Sequence, residues 1–283
     1  MIFPLALLGL VAVAGSSASG RRRCRLNRLS IGGPVVRFFE WFGNLTIFCG
    51  RLIRGGITPP YEFREFFHQF DELGSKSLLL VALAGAATGV VITISTRNSL
   101  IRFGAKYFLP SVVVFSIIKE SGPIITALVV NGRAAAAIGS ELGAMKVTEQ
   151  IDAMQASAVD PYKYLAATRV LACTLMLPLL TLVGDFFGVV MGWVADRASE
   201  PISLTLFIHD GFRNVGFSDF LPSTLKTLVF GLLMGVISSF QGMNATGGTE
   251  GVARAATSSV VLASLFIILA DVLLVHLILV FFP

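Results

Sequence analysis

The sequence predicts an all-α integral membrane protein, in which amphipathic helices near the amino terminus precede five membrane-spanning helices. The chain of 283 residues is 54% hydrophobic and only 14% charged. Its apolar residues gather in runs of about 20, the length with which an α-helix crosses roughly 30 Å of hydrocarbon. Lipid offers no partner to unpaired backbone groups, so these runs must be helical.

Residues 1–32 are expected to form a mobile or weakly membrane-associated leader. The first 14 residues are apolar, but they are too few for a span, and no basic residue precedes them as in a signal peptide. A segment of small residues and then Arg21, Arg22 and Arg23 follow.

Residues 33–75 are predicted to form amphipathic helices at the membrane interface. The polar residues of the first helix recur at helical spacing and form one narrow stripe on a broad apolar surface: Arg37, Glu40, Asn44, Arg51 and Arg54. This pattern is typical of a helix in the headgroup region. A globular-core helix is the alternative, but no soluble domain is visible to bury it. After Pro59 and Pro60, a phenylalanine stripe predicts a second short helix that leads into the first span: Phe63, Phe66, Phe67 and Phe70.

Residues 76–283 contain the five apolar runs. They cover residues 78–96, 109–130, 164–194, 225–240 and 258–282. Asp160 is suited to cap the third span, with Pro161 at its first helical position. Pro222 and Ser223 are expected to start the fourth span in a similar way.

The distribution of lysine and arginine predicts the orientation. Ten of the 22 precede residue 78, and five more fall on the same side if that side holds the amino terminus: Arg133, Lys146, Lys163, Arg169 and Arg254. The opposite side receives only six: Arg97, Arg102, Lys106, Arg197, Arg213 and Lys226. Since positive residues favour the cytoplasmic side, we expect a cytoplasmic amino terminus and a periplasmic carboxyl terminus. The net charge of +5 then reflects topology rather than nucleic-acid binding.

The polar segment between spans 2 and 3 predicts a short helix. Gly143 is expected to end span 2, and Thr148 to cap a new helix with Glu149 in its first turn. One face of this helix is apolar: Val147, Ile151, Met154 and Ala158. Because a solvated cytoplasmic loop can also look amphipathic, periodicity alone leaves open whether the helix binds a partner.

Several ionisable residues lie inside the spans, where an isolated charge costs at least about 2.5 kcal/mol. Lys119 and Glu120 are adjacent, about 100° apart around a helix, so they are expected to contact different neighbours. Either a cavity or a polar network between helices would accommodate them. Asp185 lies among Gly184, Gly188 and Gly192, a spacing that favours close helix packing, so it is expected to be a packing and hydrogen-bonding position rather than a proton relay. Asp271 and His276 point to different faces of the last span.

Several motifs occur in an order that resembles the MlaE/YrbE permease family, the membrane subunits of ATP-binding-cassette (ABC) lipid transporters in the Mla, Mce and Tgd systems. They are Lys119-Glu120-Ser121-Gly122-Pro123, Asn131-Gly132-Arg133, the segment from Glu141 to Met154, and the glycine-rich turn from Gln241 to Thr257, which is similar to the family's GG-x-x-GV turn. The family commonly has arginine in place of Lys119 and glycine in place of Ala135.

The resemblance implies an inner-membrane homodimer that moves phospholipid or a related lipid. Its implied partners are an ABC ATPase, docked on a cytoplasmic coupling helix, and a periplasmic Mce-domain protein. The implied ATPase-coupling residues are Glu141, Lys146, Glu149, Gln150, Asp152, Met154, Glu250 and Arg254. The chain lacks a GxxxxGK[ST] phosphate loop, so ATP and magnesium are expected in the ATPase and no cofactor in this chain. The apolar end of the last span predicts a lipid pocket with Leu279 and Phe282.

Two alternatives from other classes remain. A secondary transporter could use Asp185, Glu120 or Asp271 as ion sites, but no inverted repeat is visible. An intramembrane enzyme could be built on His276, but no cluster of catalytic residues at one depth accompanies it. The cysteines, Cys24, Cys49 and Cys173, have no metal-binding spacing and are expected to be packing residues.

Overall fold

The structure, a computed structural model, describes residues 32–57, 63–199, 201–213 and 216–281. These residues contain helices and no strand. The α-helices are α1 (Gly32–Ile57), α2 (Phe63–Arg102), α3 (Leu109–Ser116), α4 (Gly122–Val147), α5 (Gln150–Ala156), α6 (Thr168–Arg197), α7 (Leu204–Phe212), α8 (Phe217–Met243) and α9 (Gly248–Phe281). A 3-10 turn, Lys106–Phe108, precedes α3, and π-helical turns precede α4 (Ile117–Ser121) and α6 (Tyr162–Ala167). The leader predicted for residues 1–32 lies outside the described residues, apart from Gly32.

Five helical segments are long and apolar enough to cross a membrane, which confirms the predicted number. They are span 1 (Phe63–Arg102), span 2 (Lys106–Val147), span 3 (Tyr162–Arg197), span 4 (Phe220–Met243) and span 5 (Gly248–Ile278). Spans 2 and 3 each continue through a π-helical turn, which adds one residue to a helical turn and redirects the side chains that follow.

Three predicted helix boundaries are wrong. The phenylalanine stripe does not form a separate short helix, because α2 runs unbroken from Phe63 through 40 residues. Gly143 does not end span 2, since α4 continues to Val147. Packing of Gly143 beside Ala245 and Ala255 holds the helix there. Helix α8 starts at Phe217, before Pro222.

The start of span 3 agrees with the prediction. The Tyr162 backbone N–H donates to Asp160 Oδ1 at 3.0 Å. The carboxylate thus satisfies one of the amide groups that a helix leaves unpaired at its amino-terminal end.

Spans 1 and 3 pack with their backbones in close contact. A Cβ atom added to Gly85 would lie 2.3 Å from the Gly184 carbonyl oxygen, and one added to Gly89 would lie 2.0 Å from that of Gly188. Close packing at these glycines confirms the prediction from the glycine spacing. Further along, Arg97 Nη1 pairs with Asp196 Oδ1 at 3.0 Å. The two spans therefore run in the same direction, as the first and third crossings must.

Helix α1 packs through aromatic side chains onto the later spans. Phe48 contacts the rings of Tyr162 and Phe240, and Trp41 contacts Phe240 and Phe266. Large apolar side chains elsewhere on α1 are exposed: Val36, Phe39, Ile47 and Ile53. The amphipathic helix is thus present, and its position at the membrane interface stays a prediction.

The two cysteines whose side chains are described are free thiols. Cys173 is buried in the core between spans, and Cys49 is half-buried on α1. Both positions agree with the predicted packing role. Cys24 lies outside the described residues.

Candidate functional site

An ionic cluster of Glu120, Lys226 and Asp271 joins spans 2, 4 and 5. Lys226 Nζ lies 3.1 Å from Glu120 Oε2 and 3.1 Å from Asp271 Oδ1. The contact with Glu120 is a hydrogen bond. The contact with Asp271 is an ion pair but not a hydrogen bond. Asp271 Oδ1 has no hydrogen-bond partner among the described residues. The Lys226 side chain is 1% exposed, whereas that of Glu120 is 46% exposed.

The π-helical turn in span 2 positions Glu120 in this cluster. A π-helical turn leaves a backbone carbonyl without its usual partner and is common at functional sites. Here the Ser223 hydroxyl on span 4 donates to the carbonyl oxygen of Ile118. Ser223 and Lys226 are three residues apart and lie on one face of α8. This face of span 4 therefore supplies both the hydrogen bond to the Ile118 carbonyl and the ammonium that pairs with Glu120.

The other predicted intramembrane polar residues do not join the cluster. The Lys119 ammonium lies 4.7 Å from the centroid of the Phe115 ring. Glu120 pairs with Lys226, so the two adjacent residues contact different neighbours, as predicted. Asp185 on α6 is buried with Oδ1 against Gly122, which agrees with the predicted packing role. The predicted hydrogen bond is not found at this atom, because Oδ1 has no hydrogen-bond partner in the described part of the chain. His276 is exposed on α9.

Sequence reasoning missed Lys226 as a site residue. It was counted as a positive residue on the external side, and the structure places it between helices. The available signal was its position within the predicted fourth span, between Leu225 and Leu228. Arg169 was likewise counted at a surface, but it is 1% exposed within span 3. Neither change reverses the excess of positive residues on the predicted cytoplasmic side.

Helix α5 begins differently from the prediction. Its amino-terminal cap position is held by Glu149, in the left-handed conformation with φ of 60°. Thr148 does not cap α5, because its hydroxyl donates back to the Ala144 carbonyl at 2.8 Å. Glu149 therefore lies between α4 and α5 with a positive φ, which is uncommon for a residue other than glycine.

Apolar contacts and ion pairs tie α5 to the helix bundle. Ile151 is buried, and Met154 packs against the same core. Lys146 Nζ pairs with Asp152 Oδ1 at 2.7 Å. Nearby, Glu141 Oε1 accepts a hydrogen bond from Arg169 Nη2 at 2.7 Å, which links the end of span 2 to span 3. The face of α5 away from the bundle is exposed and polar, with Gln150 and Asp152 following Glu149.

The glycine-rich turn between spans 4 and 5 lies at the same end of the bundle. Gly247 and Gly248 have positive φ, of 99° and 70°, which other residues adopt rarely. A tight turn therefore explains these two glycines, as predicted. Glu250 Oε1 accepts a hydrogen bond from Arg254 Nη2 at 2.8 Å, and both side chains are exposed.

The predicted lipid pocket falls at the end of the described chain. The side chain of Leu279 and all of Phe282 lie outside the described residues. No group of three or more potential metal ligands occurs among the residues that are described.

Five packed spans with ionisable groups enclosed between them define a polytopic α-helical membrane protein of the kind that serves transport. The comparison with protein families specifies the class further. The family described as Permease MlaE matches residues 66–277, which include most of span 1 and nearly all of span 5. The chain belongs to this permease family.

Relatives from bacteria and a plant agree with this placement. A probable ABC transporter permease protein of Rickettsia typhi is 32% identical over 247 residues, which are 87% of this chain and 95% of the relative. The intermembrane phospholipid transport system permease protein MlaE of Haemophilus influenzae is 30% identical over 250 residues, 87% of this chain and 94% of the relative. The chloroplast protein trigalactosyldiacylglycerol 1 of Arabidopsis thaliana is 32% identical over 237 residues, 83% of this chain and 68% of the relative.

Proposed function

We propose that this chain is the permease subunit of an ABC transporter that moves phospholipid or a related lipid between the inner membrane and an external Mce-type carrier. The observation that carries the proposal is the family match over residues 66–277. The name of the Haemophilus influenzae relative supports phospholipid as the substrate class. In this proposal two copies of the chain form a homodimer that carries two ATPase subunits.

The chemistry of ATP hydrolysis belongs to the partner in this proposal. The chain has no phosphate loop, so ATP and magnesium are assigned to the ATPase. The end of the bundle that holds α5 and the glycine-rich turn is the proposed docking surface. Exposed residues of both signs favour it, because charged rims steer and align partners. Glu149 and Asp152 contribute from α5, and Glu250 and Arg254 from α9.

The contacts of α5 suggest how closure of the ATPase reaches the membrane. Ile151 fixes α5 to the core, and the Glu141–Arg169 pair links the adjoining part of α4 to span 3. Helix α4 has 26 residues, so it extends about 39 Å from α5 to the π-helical turn. A displacement of α5 would move this helix as a unit and act on the turn that holds Glu120.

A reconstituted complex tests the proposed function. The chain is coexpressed with the Walker-motif ATPase and the Mce-domain protein of its source, and the purified assembly is placed in phospholipid vesicles. We expect copurification of the ATPase and ATP-dependent transfer of fluorescent phospholipid between the vesicle and the Mce-domain protein. If the ATPase copurifies but phospholipid does not move in either direction, the substrate class is wrong; if no ATPase binds, the subunit assignment is wrong.

Charge reversal on α5 is expected to uncouple the permease. In the double variant Glu149→Lys/Asp152→Lys, the exposed acids become bases, and copurification of the ATPase and lipid-stimulated hydrolysis should both fall at least about tenfold, the effect of 1.4 kcal/mol. Glu40→Lys on α1 is the control, because Glu40 is exposed and outside the proposed docking surface. Wild-type binding and hydrolysis in the double variant would contradict docking through α5.

The proposed topology is tested by cysteine labelling in a background without the natural cysteines. Ser203→Cys, at the start of α7, should react with a membrane-impermeant maleimide in intact cells, because residues 199–219 are assigned to the periplasm. Ser157→Cys, just after α5, should react only after permeabilisation. Cysteines introduced in residues 57–70 should also react only after permeabilisation, or should not react because lipid covers them. The reverse pattern for the two cysteines would invert the orientation.

A further inference from the structure

A groove with a volume of about 310 Å³ opens between α1, the start of span 1 and the start of span 3. Its lining residues include Phe63, Phe66, Phe67, Lys163, Leu171 and Leu175. The end of α1 lies next to span 3 here, since a Cβ atom on Gly55 would be in van der Waals contact, at 3.4 Å, with the Lys163 Cα. The volume is at the lower end of the roughly 300–1,000 Å³ found for small-molecule sites.

The walls of the groove are apolar side chains that the protein leaves uncovered. Phe63 and Phe67 are 64% and 63% exposed, and Leu171 and Leu175 are both 49% exposed. The last two lie one turn apart on the same face of span 3. Such an apolar wall can pack against the hydrocarbon chain of a lipid.

The groove has the length of one leaflet. Lys163 lies in the first turn of span 3, and Leu175 is twelve residues further on. At 1.5 Å per residue this is about 18 Å, close to half of the roughly 30 Å hydrocarbon core. A molecule lying in the groove therefore places one end at the membrane surface and the other near the middle of the bilayer.

Among the described lining residues, Lys163 at the surface end of the groove is the one with a charge. The Lys163 ammonium makes no ion pair or hydrogen bond with another residue in the ranges that the structure covers. The described lining residues include no carboxylate. An ammonium at the bilayer surface, next to an apolar channel, is complementary to a phosphate headgroup with an acyl chain.

We propose that this groove binds one anionic phospholipid from the leaflet at which spans 1 and 3 begin. Its phosphate lies at Lys163, and one acyl chain lies along Phe67, Leu171 and Leu175. The proposal goes beyond lipid transport, because the groove is on the outer surface of the chain, and it requires only that the chain is embedded in a membrane. Lipid binding in this groove therefore does not depend on the ATPase or on the Mce-type carrier.

Photo-crosslinking in vesicles tests the site. The full chain is reconstituted in phosphatidylcholine vesicles that contain a minor fraction of phosphatidylglycerol with a photoreactive acyl chain, or of photoreactive phosphatidylcholine, and labelled peptides are mapped. We expect labelling of span 3 beside the groove to be about fivefold higher with phosphatidylglycerol, since one basic residue contributes about 1 kcal/mol at an anionic surface. Lys163→Gln should abolish this preference and leave the phosphatidylcholine signal.

A pair of tryptophan variants separates the groove from the general lipid surface. Leu175→Trp fills the groove and should reduce labelling there with both lipids. Leu179→Trp changes a leucine that is also 49% exposed on α6 but does not line the groove, and it should leave the labelling unchanged. Equal labelling by the two lipids in the wild-type chain, or undiminished labelling in Leu175→Trp, would refute the site.

Discussion

Replacement of Lys226 by methionine is expected to destabilise the folded chain by about 3–5 kcal/mol, the usual cost of removing one partner from a buried ion pair. Methionine fills similar space, so the cost arises from charge rather than from a cavity. Without the ammonium, Asp271 stays buried with no counter-ion, and Glu120 loses its hydrogen bond. Thermal unfolding of the detergent-solubilised protein measures the effect.

Two further variants test whether the loss of stability comes from the buried, unpaired carboxylate rather than from the loss of any lysine. Lys146→Met removes a partner of the Lys146–Asp152 pair, whose side chains are 31% and 54% exposed, and should cost at most about 1 kcal/mol. The triple variant Lys226→Met/Glu120→Gln/Asp271→Asn removes all three charges and should recover part of the lost stability. A triple variant no more stable than Lys226→Met would show that charge balance is not what Lys226 provides.

The second large effect is expected at the contact between spans 1 and 3. Gly89→Ala places a methyl group 2.0 Å from the Gly188 carbonyl oxygen, and this backbone atom cannot rotate away as a side chain would. The two spans must separate, at a cost of about 1–3 kcal/mol for overpacking. The double variant Gly85→Ala/Gly89→Ala should be worse still, with loss of the monodisperse protein in detergent.

Gly50 supplies the matched control for this prediction. It lies in α1, and an added Cβ atom would meet nothing within 4 Å. Alanine also forms helix better than glycine by up to about 1 kcal/mol, so Gly50→Ala should leave the melting temperature unchanged or raise it. If Gly89→Ala were equally well tolerated, the close contact between the two spans would be wrong.

The number and approximate position of the spans could be predicted because they depend on local composition. A run of about 20 apolar residues has few alternatives to a membrane helix. Four of the five runs lie wholly within helices of sufficient length, and the fifth does so as far as Ile278. The cap at Asp160 and the close packing at Gly184 and Gly188 were predictable for a similar reason, since each depends on a short pattern. The helix boundaries at Gly143 and Pro222 were not, because tertiary packing outweighs local propensity.

The candidate site was only partly accessible from the sequence. Glu120 and Asp271 stood out as charges in apolar runs, and α5 as a polar segment between spans. The ion pairs that connect them through Lys226 could not be predicted from the sequence, because Glu120, Lys226 and Asp271 lie in three different helical segments. The Glu141–Arg169 pair and the groove at Lys163 depend in the same way on segments far apart in the chain.

By itself, the sequence determined the membrane class, the five spans and the family to which the chain belongs, since hydrophobic run length and motif order are properties of the linear chain. The tertiary structure alone decided which charges are paired, which glycines lie in backbone contact, and where α1 leaves an open groove. The physical reason is that burial and ion pairing depend on which faces of separate helices pack together. The spacing of residues in the sequence shows which of them share a helix face, but not which other helix that face contacts.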